Sequence, residues 1–406
     1  MSEARSRQVI IAGAGIAGLT AALSFAVRGY PVRIFERAPK LEESGAGIQL
    51  SPNATRILDR LGVLAALRLT AVRPTAVIIR DAASLAELGR VPLGSAAEQR
   101  WRAPYITLRR SDLQAALLAH VAREPGIELV TDARVIGASL HAHGVTASVE
   151  TAGETMRAGG LILVGADGVW STLRGLNGSK GTSRFAGELA WRRTVSAGSA
   201  AAKSLIDLGV AGAVSAFVHP GFHLVTYPVH GGNALNLVAM IGGAAMTETW
   251  SGKMDITVLK RAMQRTAPAL RGLADDGEAW TVWPVHTVAP SEPWIAAGGI
   301  ALIGDAAHAM TPYAAQGAAM AIEDAETLAL HVVGRQGTLA ASLAAWEKQR
   351  RSRILRVARR GAANHRAWHA SGPVARVRNA YLRMQSPARL AAGFDWLYGW
   401  EPPAPR

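Results

Sequence analysis

Cysteine is absent from the 406 residues, which excludes a disulfide framework, a thiolate nucleophile and a cysteine-bound metal. No apolar run approaches the ~20 residues that a membrane-spanning helix needs. Internal repeats and low-complexity tracts are also missing, so neither a solenoid nor a disordered array organises the chain. Acids are scarce beside bases: 30 Asp and Glu against 44 Lys and Arg leave a formal charge of +14. Such an excess suits anionic partners, but the bases are dispersed and no DNA- or RNA-binding module is recognisable. Their densest cluster is Lys348, Arg350, Arg351, Arg353, Arg356, Arg359 and Arg360. It has helical spacing and reads as a solvated helix face rather than a nucleic-acid patch. The stretch Met1–Arg5 leads directly into a strand pattern without a signal-peptide core. The expectation is a cytoplasmic globular protein of two interlocked lobes, with no nucleic-acid or membrane partner.

What is present begins with a short apolar strand at 8–12, a glycine turn, and an alanine-rich helix from about Ile16 to Arg28 that Gly29 closes. A second strand follows at 32–36. This is a βαβ unit and implies a parallel, doubly wound sheet. Further buried strands are expected at 161–164 and 300–303. Between about Ala186 and Pro284 the character changes to short alternating strands with Gly-Gly and Pro-Gly turns, as in an antiparallel sheet inserted into the first lobe. The pattern beyond Ala314 is helical. The fold class is therefore α/β: a Rossmann-like nucleotide-binding domain with an inserted antiparallel-sheet domain and C-terminal helices. The expected division is 1–185 for the first part of the nucleotide domain, with about 72–105 contributing to the second lobe, then 186–284 for the inserted sheet. Residues 285–340 return to the nucleotide domain, and 341–406 form the helical end.

Gly13-Ala14-Gly15-Ile16-Ala17-Gly18 lies between strand and helix. Gly13 permits the tight turn, Gly15 lets backbone approach a pyrophosphate, and Gly18 allows close helix–sheet packing. The helix start at Ile16 and Ala17 offers free N–H groups and a positive dipole to phosphates. Glu36, with Arg37 beside it, ends the second strand where ribose hydroxyls are bound. This motif alone leaves FAD and NAD open.

Four further segments decide between them: 45–54 (GAGIQLSPNA), 108–113 (LRRSDL), 165–174 (GADGVWSTLR), and 304–308 (GDAAH) continuing to 316–325 (QGAAMAIEDA). With the glycine turn, they resemble, in order, the motifs of flavoprotein aromatic hydroxylases of the p-hydroxybenzoate hydroxylase type, nearest the salicylate, 3-hydroxybenzoate and 6-hydroxynicotinate hydroxylases. The resemblance implies FAD as cofactor and NAD(P)H and dioxygen as co-substrates. It also implies hydroxylation of a small aromatic substrate through a C4a-hydroperoxyflavin, in a monomer or homodimer. It assigns Gly47, Ile48, Arg109, Asp167, Asp305, Gly317 and Ala318 to cofactor binding. The residue after GDAAH is proline in several relatives and Ala309 here. A monooxygenase of the same fold acting on a polyketide-like or other non-aromatic substrate, or a NAD-dependent dehydrogenase, remains the alternative.

Asp305 follows an apolar strand, at the edge where α/β folds bind ligands. Gly317 opens a helix whose N–H groups can stabilise negative charge on reduced flavin, and it leaves room for close approach. On the substrate side, period-two geometry sets His223, Val225 and Tyr227 on one face of a strand, with Pro228 stopping that strand or placing it at an edge. His223 and Tyr227 could grip and deprotonate a phenolic hydroxyl, a pairing that the relatives share. Pro312 lies on the loop that the resemblance places over the flavin's reactive edge, where it is expected to fix the loop's shape. Arg192 and Arg193 project to opposite faces, and either is a candidate for a substrate carboxylate. His308 reads as a packed histidine. No metal is expected.

Overall fold

A computed structural model describes residues 7–41, 46–179, 182–244, 255–296 and 298–402. Met1–Arg5 and Gly45 of the second motif lie outside them. The first sheet orders its strands Ile295–Ala296, Ile300–Leu302, Ile162–Gly165, Val9–Ala12, Val32–Phe35 and Ile127–Val130. All pairs are parallel except the edge pair Ile295–Ala296 with Ile300–Leu302. Parallel strands need crossovers, and the helix Ile16–Ala26 supplies the first. That helix is buried around most of its circumference, which its Ala, Gly and Leu content permits; the helix Gly317–Val333 packs against it.

A second, seven-stranded sheet runs Thr281–Thr287, Arg184–Ser196, Ala234–Gly242, Phe222–Val229, Val214–His219, Ala76–Asp81 and Glu87–Pro92. Its outer face carries Leu189, Trp191, Leu224 and Leu237 into a core shared with the helices Ala200–Ile206, Thr257–Met263 and Pro268–Asp275. Its inner face turns the other way: Tyr227, Val225 and Val229 join the core of the nucleotide lobe. The faces separate because successive side chains alternate. The seam between this inner face and the nucleotide lobe is where a site can form.

Pro228 neither stops its strand nor marks a sheet edge. It pairs with Leu235 on one flank, while the neighbouring strand on the other flank reaches only to Thr226. The missing N–H therefore costs no ladder bond, and the Pro228 carbonyl accepts from Thr107 Oγ1 at 2.6 Å. The three-stranded sheet of Ala133–His141, Gly144–Thr151 and Glu154–Gly160 was not foreseen from the sequence.

The basic cluster departs only in part from the solvated face expected of it: Lys348, Arg356 and Arg359 are exposed, whereas Arg350 and Arg353 are engaged inside. Arg350 is fully buried and donates to Glu323 Oε2 at 2.6 Å and Asp324 Oδ1 at 2.7 Å. Arg353 forms a fork with Glu323 at 2.6 and 2.7 Å. Arg356 lies 4.0 Å over the ring of Trp396, and Arg360 4.8 Å over Phe394. The carboxylates that match these charges come from another helix, beyond the reach of local periodicity. The long helix Leu339–Trp368 is thus fastened to Gly317–Val333 on one side and to the aromatic C-terminal segment on the other. Among the described residues no helix is long and apolar enough to cross a membrane.

Candidate active site

Three motifs distant in sequence meet at the C-terminal edge of the parallel sheet. Gly13 has φ +103°, and a Cβ there would stand 2.5 Å from the Ala166 carbonyl oxygen of the second dinucleotide motif. A Cβ on Gly18 would lie 1.9 Å from the Gly13 carbonyl oxygen. Around Gly15, by contrast, a Cβ would meet no atom within 4 Å. The turn is tight on its inside and open toward the space above it, the shape needed for backbone to meet a pyrophosphate. Glu36 reaches back to this turn: its Oε2 accepts from Ala14 N at 2.7 Å and its Oε1 from Ala38 N at 3.0 Å. Arg37 next to it is exposed.

The GDAAH segment closes onto the same turn. Gly304 has φ +59° and lies so near Ala17 and Ala321 that a Cβ would be 3.3 and 3.1 Å from theirs. Asp305, the first residue of the short helix Asp305–His308, is exposed. Arg174 ties the second motif to this segment by donating from Nε to Ala306 O at 3.0 Å and from a terminal nitrogen to Val169 O at 2.9 Å. Asp167 does not pair with Arg174; its Oδ2 accepts from Thr172 N at 2.9 Å and Leu173 N at 3.2 Å, while its buried Oδ1 has no partner among the described residues. His308 is packed against Trp294 and hydrogen-bonded to Asp324. Ala309 keeps φ −47°, close to the value proline would impose, and its carbonyl accepts from Val288 N at 2.9 Å. The loop is held without the ring.

The 45–54 segment forms the strand Gly47–Leu50, paired antiparallel with Ile106–Arg109 in the register Gly47 to Arg109 and Ile48 to Leu108. Gly47 N donates to Asn236 Oδ1 of the seven-stranded sheet at 2.8 Å, and the side chain of Asn236 fills the space a Cβ would need. Ser51 and Asn53 bind Gln316, the residue before the helix Gly317–Val333. Gly317 is exposed, nothing would meet a Cβ there within 4 Å, and Ala318 is half-buried. The N–H groups of this helix start therefore face open space with no side-chain cap. Arg109 is held by Asp112 at 2.8 Å but remains about one-third exposed.

These features fit FAD. Both glycine positions that must be bare are bare, two helix starts present free N–H groups to negative charge, and Glu36 and Asp305 stand at strand ends to meet hydroxyls.

Across the seam stands the inner face of the seven-stranded sheet. His223 is buried; its ring lies 5.0 Å from that of Tyr313, beside Pro312, and 4.9 Å from that of Trp368. Its Nδ1 is 3.1 Å from His369 Nε2. Burial, reinforced by His369 and His365, holds the His223 pKa well below the usual histidine value, so the ring is neutral near pH 7. Burial raises the Tyr227 hydroxyl, opposed by Arg192 and by a hydrogen bond to Gln49. Gln49 Oε1 also accepts from the Tyr105 hydroxyl at 2.7 Å.

His365, His369 and Glu188 were missed from the sequence. They line a cavity of about 540 Å³ beside Thr311 and Tyr313. His365 Nε2 is 3.2 Å from Glu188 Oε1, which also accepts from the Tyr313 hydroxyl. The i,i+4 spacing of the two histidines was the available signal, but nothing local says that the helix end lies against this sheet.

A model of the family described as "FAD binding domain" matches residues 6–360. A 3-hydroxybenzoate 6-hydroxylase of Polaromonas naphthalenivorans (strain CJ2) is 32% identical over 392 residues, covering 97% of this chain and 96% of that protein. A 3-amino-4-hydroxybenzoate 2-monooxygenase of Streptomyces cremeus is 33% identical over 402 residues, covering 97% and 95%. Among solved structures, HpxO from Klebsiella pneumoniae, complexed with FAD and uric acid, superposes with a TM-score of 0.80 at 24% identity, covering 95% of each chain. The chain belongs to the FAD-binding family of flavoprotein aromatic hydroxylases, monooxygenases that draw electrons from NAD(P)H and oxygen from dioxygen.

Proposed function

We propose that this protein hydroxylates a small aromatic compound bearing an ionisable ring hydroxyl, of hydroxybenzoate or hydroxypyridine type. The observation that carries the reading is the seam itself. One sheet face presents His223 to the Pro312–Tyr313 loop and Tyr227 to Gln49, next to Gly47 and Ile48. Elements assigned here to cofactor and to substrate thus pack against one another along one seam. The names of the Polaromonas and Streptomyces relatives, which act on hydroxybenzoates, support the same class.

In this reading Gly13, Gly15, Gly18 and the N–H groups of Ile16 and Ala17 hold the pyrophosphate, and Glu36, with Arg37, the adenosine ribose. Asp305 meets the ribityl chain, Gly47, Ile48 and Arg109 flank the ring, and Asp167 steadies the turn beside it. The N–H groups of Gly317 and Ala318 face the negative charge of the reduced ring. Bound FAD supplies hydride acceptance from NAD(P)H and activation of dioxygen. The protein's own chemistry is acid–base and positional. His223, neutral and engaged through Nδ1 with His369, takes the substrate hydroxyl proton at Nε2. The ring so ionised is richer in electrons at the carbon to be oxygenated. Tyr227 orients that hydroxyl, and Pro312 shapes the loop above it. Burial of the seam keeps water from the reacting atoms. As part of this reading the enzyme works in the cytoplasm as a monomer or homodimer, with no nucleic-acid or membrane partner.

A substrate panel tests the proposal: NAD(P)H consumption, hydrogen peroxide and hydroxylated product are followed together for purified yellow protein. A true substrate gives fast oxidation with matching product and little peroxide. Failure to take up FAD, or the lack of any aromatic that stimulates oxidation with product, would overturn it.

A further inference from the structure

A helix end and a break in a strand meet beside the seam. The helix Leu339–Trp368 carries His365, and the backbone bond from His369 N to His365 O at 3.1 Å continues its last turn through His369. Residues four apart on a helix face the same way, and these two rings lie 4.7 Å apart between centroids. The strand Arg184–Ser196 loses register with Thr281–Thr287 between Phe185 and Leu189, and Gly187 there has φ +80°. A bulge re-aims the side chains within it. Glu188 stands in this one, its Oε1 3.2 Å from His365 Nε2. One donor atom each from Glu188, His365 and His369 lies within 4.8 Å of the others, and all three residues are half-buried. Around a tetrahedral zinc ion the donors stand about 3.4 Å apart, so side-chain rotation is enough to close the three on an ion. Tyr313 donates its hydroxyl to the same Glu188 oxygen, the kind of outer contact that orients a ligating carboxylate. The cavity of about 540 Å³ that the three line leaves room for water at a fourth position.

We infer that Glu188, His365 and His369 form a site for a divalent transition-metal ion, and that filling it lowers turnover. Two imidazoles and one carboxylate suit Zn²⁺, whereas Mg²⁺ prefers oxygen alone. Sequence raises no expectation of a metal, because the carboxylate and the histidines come from elements far apart in the chain. The link to turnover runs through His369, whose Nε2 is 3.1 Å from His223 Nδ1. As a base at Nε2, His223 must donate from Nδ1, so His369 Nε2 must accept. A neutral imidazole has one proton and one free lone pair on its two nitrogens. An ion on His369 Nε2 removes the acceptor; an ion on Nδ1 leaves the proton on Nε2 and makes it a donor. In both cases His223 Nδ1 loses the bond that keeps its Nε2 bare. The effect on turnover rests on the hydroxylase reading above; the ion site itself does not.

The test uses untagged, FAD-loaded enzyme freed of metal with a chelator, beside the variants E188Q and H365A, each checked for FAD content and melting temperature. Calorimetric titration with Zn²⁺ should show a single ion bound per chain in wild type, and excess Mg²⁺ should not compete. Each variant should bind Zn²⁺ more weakly by at least the roughly 10- to 100-fold that loss of an outer contact costs. Zn²⁺ should raise the melting temperature of wild type and leave those of the variants nearly unmoved. In turnover with a hydroxybenzoate, Zn²⁺ should lower kcat with an inhibition constant that matches its dissociation constant, and the chelator should restore the rate. Each variant, compared with its own zinc-free rate, should need correspondingly more Zn²⁺ for the same fractional loss. Wild type that takes up no Zn²⁺, or E188Q and H365A that both bind it as wild type does, overturns the site. Zn²⁺ bound at this site without any fall in kcat overturns the inhibitory link. Wild-type enzyme with no FAD, or no response to any aromatic, sinks the hydroxylase reading, while the calorimetry still decides the site.

Discussion

His223 Nδ1 lies 3.1 Å from His369 Nε2, a contact that joins the centre of the seven-stranded sheet to the end of the helix Leu339–Trp368. One ring must donate and the other accept, so the pair cannot be doubly charged. The base role proposed for His223 requires that its Nδ1 donate to His369 Nε2, which leaves His223 Nε2 as the unprotonated nitrogen.

Replacing His223 by Gln should lower the hydroxylation rate by about 10²- to 10⁴-fold, the usual range for a general base, while FAD content stays as in wild type. The loss should shrink as pH approaches ~10, where a phenol ionises without help. Product formation against pH is the measurement; a variant rate that stays flat with pH would count against the base role.

Stability should fall on acidification in a window set by the two histidines. Burial, with His365 and His219 adding, lowers the His369 pKa from 6.5 to about 4, and burial, with His369 and His365 adding, holds His223 well below the usual histidine value. Between pH 6.5 and about 4 the unfolded chain therefore binds protons that the folded chain refuses. Stability declines as pH drops through that window and levels off above it. H369Q should flatten the slope of melting temperature against pH. Parallel slopes for wild type and variant would argue against the assignment.

Glycine substitutions should separate packing from cofactor binding. G18A places a methyl 1.9 Å from the Gly13 carbonyl and should fold poorly, because backbone cannot yield there. G15A meets no protein atom within 4 Å, so it should melt near wild type without cofactor yet bind FAD more weakly. Flavin fluorescence on titration reads the second effect. Equal FAD affinity in G15A and wild type would mean the pyrophosphate does not approach that residue.

Removing Arg350 should be severe. R350A leaves the buried carboxylates of Glu323 and Asp324 short of their main counter-charge, at a cost of about 3–5 kcal/mol. Arg353 still holds Glu323, so Asp324 and its partner His308 should bear most of the effect. Urea unfolding of the FAD-free protein gives the number; a change below about 1 kcal/mol would show that the network relaxes around the gap.

Local rules made much of the site legible. The glycine turn, the helix it opens and the strand ending at Glu36 follow from short-range sterics, and the structure gives each of them a defined place: Gly13 and Gly18 leave no room for a side chain. The face shared by His223, Val225 and Tyr227 followed from a period of two. The same rule put Arg192 and Arg193 on opposite sides, but it could not say which side is the seam. Nor could it show that Arg350 of the basic helix is buried, since Arg350 and Arg353 find their carboxylates on a different helix. His365 and His369 escaped notice for a related reason: their partners, Glu188 and His223, are more than 140 residues away in sequence for each pair.

Sequence alone thus determined the conformations that a few neighbouring residues dictate by themselves: the glycine turn, the helix start at Gly317, the alternation along the strand of His223. Which surfaces meet was decided only by tertiary structure. Burial of a charge, depression of a histidine and orientation of an arginine all depend on what arrives from elsewhere in the chain, and local periodicity carries no record of that.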